Sequence, residues 1–542
     1  MKKTLISLLF VVLFKTVFYS QPIFNWVNTL YSSQGSPDEY VYPIKIQSGA
    51  TNDVYMVGYF GKTINFDPVL GNYYVLTPTD SMAAFIAKYN SSGNIVWAKQ
   101  LNAKGLVKIQ DFTLDLSDNI YVTGIFKGTV DFDPSATTYT ISKDNSPAKY
   151  NSFIAKYTSN GSLVWVNRIT GSFIKNKIAL DNANNIYLGG LKDSIPFFCK
   201  YSNAGTQMWR DSLVTTFSTT VDGFYVNGSG NVYISGFLPY YFDMDPSSGT
   251  NYLAGNGFDR FIGMYDTNGS LGWCKNFYLG YPVRDMISDS QGNLFVAGSH
   301  DLYGCQISKW DVNGTQVWEK FYLGNTSNSK CVDISLNCSN NITVSGFFEH
   351  SQNSSTTPNF ETSGAIYSIP LRPTSKIDFY VASYSAVDGS LKWANALAGK
   401  FVYSSEINNA YINSAGEIYL CGLYKNQSDF DFGPTSHTII TYGSGELFFS
   451  KYSGCNVVGI KENSIDNLTN IFPNPSNGVF NVTGLSGHSK IEIYNITGQL
   501  LLVENTSQPS YSFDMSIYNK GIYFYRITNN QNRTLNGKIT LF

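Results

Sequence analysis

Residues 109–169 read IQDFTLDLSDNIYVTGIFKGTVDFDPSATTYTISKDNSPAKYNSFIAKYTSNGSLVWVNRI and contain four short runs rich in Val, Ile, Tyr and Phe. Polar or glycine-containing turns separate the first run from the second and the third from the fourth. A longer polar segment separates the second run from the third. Runs of this length and composition predict β-strands. The stretch is therefore interpreted as a unit of four strands.

Three features of this unit recur in the same order along most of the chain. The apolar runs that end in Gly are Val54–Gly58, Ile120–Gly124, Ile186–Gly190, Val232–Gly236, Leu294–Gly298, Ile342–Gly346 and Ile418–Gly422. The third runs end at Tyr89, Tyr157, Tyr201, Tyr265, Trp310, Tyr384 and Tyr452. The fourth runs carry Trp97, Trp165, Trp209, Trp273, Trp318 and Trp393. The chain therefore contains seven repeats, of which the last lacks its Trp strand.

The missing strand lies at the other end of the chain. Residues 23–30 read IFNWVNTL, which resembles LVWVNRI at 163–169, although no repeat precedes them. Residues 24–30 are therefore expected to pair with the strand that ends at Lys451-Tyr452, which would close a ring without free sheet edges. The predicted fold is all-β: a seven-bladed β-propeller of four-stranded blades over 21–452, closed by the N-terminal strand. An open solenoid is the alternative, but it gives no reason for the divided seventh repeat.

The N-terminus and the composition point to an exported protein. Residues 1–20 begin with two Lys and continue with an apolar run that is too short for a membrane span, which predicts a signal peptide. No later stretch is long and apolar enough to cross a membrane, so the mature chain is expected to have no transmembrane span. Charged residues make up 14% of the chain and the net charge is −2, so nucleic acid is not an expected partner.

Long insertions occur at one place in the repeat, between the second and third strands. They cover 61–82, 127–151, 239–258, 348–377 and 425–445. In a four-stranded meander these connections lie on the opposite face from the other two turns. Insertions on one face of a repeat array often form the binding surface, although neutral growth of loops gives the same pattern.

The candidate ligand-binding residues lie on this face. Tyr240 and Tyr241 in the insertion of repeat 4 and Tyr403 in a link between repeats do not follow the repeat pattern, and aromatic rings suit stacking on sugars or anchoring a protein. Glu349 and His350 open the insertion of repeat 6, where a ligand-binding or catalytic role is weighed against a solvated loop. No catalytic residue and no metal site are predicted.

Paired acidic residues recur in the insertions as Asp131-Phe132-Asp133, Asp243-Met244-Asp245 and Asp429-Phe430-Asp431, with Asn65-Phe66-Asp67 as a variant. The interpretation is a structural turn, because Asp before Pro is common turn chemistry. A Ca²⁺ site is the alternative, although the spacing does not match an EF-hand. No cofactor is otherwise predicted. The seven Cys are interpreted as buried thiols, with a local Cys331–Cys338 disulfide as the alternative.

The repeat ends before residues 453–467, which are interpreted as a linker, and 468–542 predict a small β-sandwich. This last segment resembles the type A C-terminal sorting domain of the type IX secretion system. The residues that carry the resemblance are Pro473, Asn474, Pro475, Gly478, Gly498, Gly521, Tyr523 and Lys538. Asn495 and the terminal Leu541-Phe542 depart from the usual pattern. The resemblance implies the type IX secretion machinery as a partner and export across the outer membrane to the cell surface or beyond.

The repeats resemble the β-propeller repeats common in such exported proteins, notably in NIYVTG, VDFDP and FIAKY. That resemblance implies a fold but no activity. The interpretation is therefore a non-enzymatic binding module at the cell surface or outside the cell, with a glycan or a protein as its ligand. The alternatives are an extracellular polysaccharide-acting enzyme with its site on the loop-rich face, and a passive component of the surface layer.

Overall fold

The structure is a computed structural model. It describes residues 22–32, 41–69, 72–135, 137–171, 173–192, 194–214, 219–256, 259–277, 282–300, 304–324, 327–349, 358–362, 377–401, 409–432, 436–440, 446–453, 470–485, 488–495, 498–529 and 534–542. The described residues form β-strands and no α-helix, so the predicted all-β class is confirmed. The chain divides into two compact parts, Met1–Cys455 and Asn456–Phe542. The predicted signal peptide (1–20) lies outside the described residues, as does the predicted linker apart from Ser453.

The strands of the first part follow one another in chain order. They begin with β1 (Ile23–Ser32), β2 (Val41–Ser48), β3 (Val54–Phe60), β4 (Ile64–Asn65), β5 (Val75–Leu76), β6 (Ala83–Tyr89), β7 (Ile95–Leu114), β8 (Ile120–Asp131), β9 (Thr140–Ser142), β10 (Asn151–Tyr157) and β11 (Leu163–Ile169). They continue with β12 (Phe173–Leu180), β13 (Ile186–Lys192), β14 (Ile195–Tyr201), β15 (Gln207–Ser212), β16 (Val221–Val226), β17 (Val232–Phe237), β18 (Tyr241–Asp243), β19 (Tyr252–Ala254), β20 (Arg260–Tyr265) and β21 (Leu271–Phe277). They end with β22 (Val283–Ser288), β23 (Leu294–His300), β24 (Gly304–Trp310), β25 (Gln316–Tyr322), β26 (Ser327–Leu336), β27 (Asn341–Glu349), β28 (Ile377–Ser385), β29 (Leu391–Phe401), β30 (Asn409–Ile412), β31 (Ile418–Asp429), β32 (Thr438–Ile440) and β33 (Glu446–Ser453).

Antiparallel pairing arranges these strands in groups of four. In repeats 1 and 2 the groups are β2-β3-β6-β7 and β7-β8-β10-β11, and the long β7 serves both. Repeats 3 to 5 are β12-β13-β14-β15, β16-β17-β20-β21 and β22-β23-β24-β25. Repeats 6 and 7 are β26-β27-β28-β29 and β30-β31-β33-β1. The four-stranded repeat read from residues 109–169 is therefore present in the structure.

The N-terminal strand completes the last repeat. β1 pairs with β33 in antiparallel register, with Phe24 opposite Tyr452 and Leu30 opposite Leu447. This confirms the predicted pairing of residues 24–30 with the strand that ends at Lys451-Tyr452. The first strands of successive repeats also contact one another in chain order, β2 with β7, then β12, β16, β22, β26 and β30, and β30 contacts β2.

Tryptophans of the fourth strands join neighbouring repeats. The indole N–H of Trp165 in repeat 2 donates to the carbonyl of Asn203 in repeat 3 at 3.2 Å, and Trp209 and Trp273 make the same kind of bond to the next repeat. Gly205, in the turn that receives Trp165, has φ 81°, a conformation that favours Gly. These tryptophans therefore pack between repeats.

The second part contains β34 (Asn470–Phe472), β35 (Val479–Thr483), β36 (Ser489–Tyr494), β37 (Leu500–Thr506), β38 (Ser510–Asp514), β39 (Gly521–Asn529) and β40 (Thr534–Leu541). They form two antiparallel sheets, β34-β35-β38 and β37-β36-β39-β40. Residues of both sheets, among them Phe480 and Ile539, belong to one buried cluster. This arrangement agrees with the predicted small β-sandwich.

The described cysteines correct one alternative. Cys331 is a buried free thiol, so a Cys331–Cys338 disulfide is wrong. Cys338 is itself disulfide-bonded, so the interpretation of all seven Cys as buried thiols is wrong for this residue. Cys199, Cys305 and Cys421 are buried thiols, and burial raises the pKa of each to about 12. These three pack in strands as the sequence analysis expected.

Candidate functional site

Four of the insertions contain short hairpins. β4 pairs with β5, β9 and β32 extend the ends of β8 and β31, and β18 pairs with β19. These hairpins belong to repeats 1, 2, 7 and 4 respectively. The insertions expected only as loops therefore have secondary structure of their own, which gives their side chains defined positions.

The paired acidic motif forms the base of each hairpin. Asp131 Oδ1 accepts hydrogen bonds from the backbone N–H of Asp133 at 3.1 Å and of Tyr139 at 2.8 Å. Asp243 and Asp429 accept hydrogen bonds from the equivalent backbone N–H groups, and so does the neutral side-chain oxygen of Asn65. The uncharged Asn65 side chain thus accepts the same two hydrogen bonds as the carboxylates. This geometry agrees with the structural-turn interpretation, and the Ca²⁺ alternative stays a prediction.

The residue between the two acids anchors the hairpin to the sheet. Phe132 is fully buried, and its carbonyl accepts a hydrogen bond from the Tyr157 hydroxyl at 3.0 Å. Equivalent bonds join Tyr89 to Phe66, Tyr265 to Met244, Tyr384 to Phe360 and Tyr452 to Phe430. In these five repeats the Tyr that ends the third strand therefore ties the insertion to the sheet through its hydroxyl. The sequence signal was the joint occurrence of the acidic motif, or its Asn65 variant, and the terminal Tyr in repeats 1, 2, 4 and 7.

Exposed tyrosines project from these hairpins. Their exposed fractions are 76% for Tyr73, 53% for Tyr139, 59% for Tyr240, 65% for Tyr241 and 63% for Tyr252. By contrast, the repeat tyrosines such as Tyr89, Tyr157 and Tyr265 are fully buried. Because all five hairpin tyrosines lie on connections between second and third strands, they share one end of their sheets. We call these five residues the tyrosine surface.

Two of the predicted ligand-binding residues belong to this surface. Tyr240 and Tyr241 begin the β18–β19 hairpin, in which Asp243 lies opposite Tyr252. The sequence analysis missed Tyr73, Tyr139 and Tyr252. Spacing in the sequence could have drawn attention to Tyr139, which lies eight residues after the first Asp of its motif. In the structure its backbone N–H donates to that Asp.

The remaining predicted residues are not brought together with Tyr240 and Tyr241. Glu349 is the half-buried last residue of β27. Its charge raises the pKa of Lys330, although burial and the neighbouring Arg284 have the larger effect and lower that pKa overall. Glu349 therefore belongs to a local group of charges in the structure. His350 and Tyr403 lie outside the described residues.

A polar cleft lies among the first turns of repeats 3, 4 and 5. Its volume is about 360 Å³, and its lining includes Asn182, Tyr225, Ser229, Ser288 and Ser290. The Tyr225 hydroxyl is hydrogen-bonded to the Ser288 hydroxyl at 3.1 Å. The cleft is formed by the turns that join first and second strands, so it lies at the other end of the strands from the tyrosine surface.

The residues that resemble the sorting motif come together in the second part of the chain. The Asn474 side chain donates to the Lys538 carbonyl at 2.9 Å and accepts from the Thr540 N–H at 2.9 Å. Pro473 and Pro475 flank this contact and are exposed. The segment before β35 is thus fastened along β40, although more than 60 residues separate the two in the chain.

The other motif residues have structural positions. Gly498 has φ 81° in the turn that follows Asn495 and suits a left-handed conformation. A Cβ at Gly478 would come within 3.0 Å of Ser516 Cβ. Gly521 begins β39, Tyr523 is buried in the core of this part, and Lys538 is exposed. The pattern therefore specifies turns and packing, with Lys538 presented to solvent.

Within the described ranges, no group of three or more His, Cys, Asp and Glu is arranged to hold a metal ion. In the part of the chain that the structure covers, there is no helix with the length and apolar character needed to cross a membrane.

Comparison with known proteins identifies the C-terminal segment. Residues 470–541 match the family described as secretion system C-terminal sorting domain. The chain therefore carries a type IX sorting domain at its C-terminus, which implies secretion to the cell surface or the exterior. No curated protein matches the sequence.

Several solved structures resemble the chain at low similarity. YCF48 bound to a D1 peptide has a TM-score of 0.37 and 8% identity, with 78% of this chain and 97% of that chain covered. Raptor from Chaetomium thermophilum has a TM-score of 0.38 and 10% identity, with 79% and 29% covered. Virginiamycin B lyase from Staphylococcus aureus has a TM-score of 0.32 and 10% identity, with 65% and 98% covered. At these values the likeness assigns no function.

Proposed function

We propose that this protein is an exported binding protein. Its N-terminal part is a seven-bladed β-propeller closed by β1, and its sorting domain delivers it to the cell surface or the exterior. There the tyrosine surface contacts a glycan or a protein ligand. The protein performs no catalysis in this proposal.

Ring closure is supported by hydrogen bonds between repeats 7 and 1 that match the hydrogen bonds between repeats 2 and 3. In β1, Trp26 donates to the Ser91 carbonyl at 3.1 Å and Asn28 donates to the Gly93 carbonyl at 2.8 Å. In β11, Trp165 and Asn167 make the same two bonds to Asn203 and Gly205. The last repeat thus meets the first as internal repeats meet each other.

The binding role depends on one observation, the exposure of five tyrosines on the same class of connection. An exposed aromatic ring gives up favourable burial, and a group of them on one surface is typical of interaction sites. Tyr combines an apolar face with a hydroxyl, which suits both sugars and protein partners. Neutral loop growth explains the length of the insertions but gives no reason for their repeated exposed rings.

Binding is tested with the mature full-length protein on a glycan array, and each hit is then measured by titration calorimetry. We expect Tyr240→Ala/Tyr241→Ala to weaken binding about tenfold or more, as loss of a central aromatic contact does. Leu116→Ala is the control, because Leu116 is 89% exposed on a first turn at the other end of the strands. An array without hits contradicts a glycan ligand on this surface. Equal affinity of the double Tyr variant and the Leu116→Ala control contradicts it as well.

A further inference from the structure

Paired strands extend beyond the four-stranded sheets at the junction of repeats 1 and 2. There β7 continues past the fourth strand of repeat 1 and pairs with the part of β8 that lies in the insertion of repeat 2. β9 adds a third strand at the same end. One face of this extension packs in the core through Ala103, Val107, Phe126 and Val130. Because side chains alternate between the two faces of a strand, the intervening residues lie on the solvent face.

The solvent face of this extension carries three lysines, Lys104, Lys108 and Lys127. Lys127 lies opposite Leu106, so it is the diagonal neighbour of both Lys104 and Lys108. Diagonal neighbours across antiparallel strands are about 7–8 Å apart. Lys104 and Lys127 are exposed, and Lys108 is half-buried. We call these three residues the lysine strip.

The lysine strip carries positive charge without a paired carboxylate. In the part of the chain that the structure describes, none of the three Lys forms an ion pair. Two acids border the extension, but Asp80 accepts the Gly105 N–H at 2.8 Å and Asp131 accepts the two N–H groups of its turn. Like charges on neighbouring strands repel each other, so the strip lowers stability unless an anion binds there. A net charge of −2 for the whole chain means that basic composition does not explain the strip.

Hydroxyl groups, an aromatic ring and a fourth cation lie beside the strip. Thr129 is opposite Lys104, and its hydroxyl is 2.9 Å from the hydroxyl of Ser142 at an exposed position. The Arg168 guanidinium donates to the Ser142 carbonyl at 3.0 Å, which holds this cation at the edge of the same row. Tyr139, which belongs to the tyrosine surface, directly precedes β9 and is 53% exposed.

We propose that the lysine strip binds an acidic polysaccharide, one whose carboxylate or sulfate groups recur along the chain. This inference rests on the proposed function and names the chemical class of its ligand. Recurring anionic groups contact several Lys at once, and a Lys ammonium accepts either kind of anion because it acts as a point charge. The hydroxyls of Thr129 and Ser142 and the ring of Tyr139 supply the uncharged contacts that sugar rings make.

The same face is poorly suited to a lipid surface. Its apolar residues Leu106 and Ile125 are half-buried, whereas a surface that enters lipid presents exposed apolar side chains. The sorting domain implies export to the cell surface or the exterior, where polysaccharides are accessible. A polysaccharide is therefore the occupant that the composition of this face favours.

The test measures binding of polygalacturonate oligosaccharides to the mature full-length protein by titration calorimetry at about 50 mM and about 500 mM NaCl. Fully methyl-esterified oligosaccharides have the same rings without charge, and we expect the protein to prefer the acidic form at low salt. Dextran sulfate, compared with dextran, separates sulfate from carboxylate recognition. We expect Lys104→Gln/Lys127→Gln to weaken binding of the preferred acidic form about tenfold at low salt and much less at high salt, because salt screens exposed charges.

Lys275→Gln/Lys320→Gln is the matched control, because it also removes two positive charges, from the fourth strands of repeats 4 and 5. We expect this variant to bind as the wild type does. Thermal melting at low salt verifies that the strip variant is folded, and we expect it to melt no lower than the wild type because it loses repulsion between like charges.

Three results overturn the proposal: equal affinity for acidic and uncharged forms of both polysaccharides, equal affinity of the two double variants, or binding to phosphatidylglycerol vesicles in place of either polysaccharide. Failure of the proposed function gives a different result. If Lys104→Gln/Lys127→Gln loses binding and Tyr139→Ala does not, the lysine strip is the binding site and the tyrosine surface is not. If only uncharged glycans bind and the Tyr variants weaken them, the proposed function stands without the acidic ligand.

Discussion

At the scale of single residues, the hairpin bases show which property of a side chain matters. Asp131, Asp243, Asp429 and Asn65 occupy one position and accept the same two backbone hydrogen bonds. Three of them are charged and one is not. The shared requirement is thus an acceptor oxygen on a short side chain, which is ordinary Asx-turn chemistry.

Substitutions of Asp131 separate a turn from a metal site. We expect Asp131→Asn to change the free energy of unfolding by no more than about 0.5 kcal/mol, because Asn65 occupies the equivalent position in repeat 1. We expect Asp131→Ala to lower the free energy of unfolding by about 1–2 kcal/mol, because two backbone N–H groups lose their acceptor. Urea unfolding measures both.

Thermal melting with and without millimolar Ca²⁺ completes this test. In the turn interpretation the melting temperature of the wild type does not change with Ca²⁺. A rise on addition of Ca²⁺ that Asp131→Asn abolishes contradicts it and favours the metal alternative.

At the scale of strands, β1 is the element whose position matters most. It pairs with β33 over Ile23–Leu30 and with β4 at its far end, so one strand contacts repeat 7 and the insertion of repeat 1. Without β1, β33 would present an unpaired edge, and such edges promote aggregation.

Deletion of residues 22–32 tests this element. We expect the shortened protein to melt at a markedly lower temperature and to form larger species on size-exclusion chromatography, because repeat 7 loses its outer strand. A synthetic peptide of residues 22–32 is expected to restore part of the melting temperature, and a scrambled peptide is the control. An unchanged melting temperature after deletion contradicts ring closure by β1.

At the scale of the whole molecule, export depends on the second compact part. Residues 470–541 match the sorting domain, and their motif residues at both ends meet where Asn474 bonds the β40 backbone. Because the two ends of the segment meet only in the folded domain, we expect recognition of these motifs to depend on folding.

Export is measured in a bacterium that carries a type IX secretion system. We expect removal of residues 470–542 to leave the protein inside the cell envelope, and Asn474→Ala to reduce the exported fraction because the segment detaches from β40. Asn505→Ala, at an exposed residue of β37, is the control. Export of the truncated protein at the level of the full chain contradicts the role of this segment.

The sequence alone determined the strands, their grouping by four, the pairing of β1 with β33 and the sorting segment. These features are local or repeated, so alternation, turn residues and the order of motifs specify them without knowledge of distant contacts. Tertiary structure decided which tyrosines are exposed, as with Tyr139 and Tyr157, because both lie in β-rich segments and differ only in what packs over them. It also decided the hydrogen bond from the Ile334 N–H to Asp285, since 49 residues separate two positions that only the packing of β22 against β26 brings together.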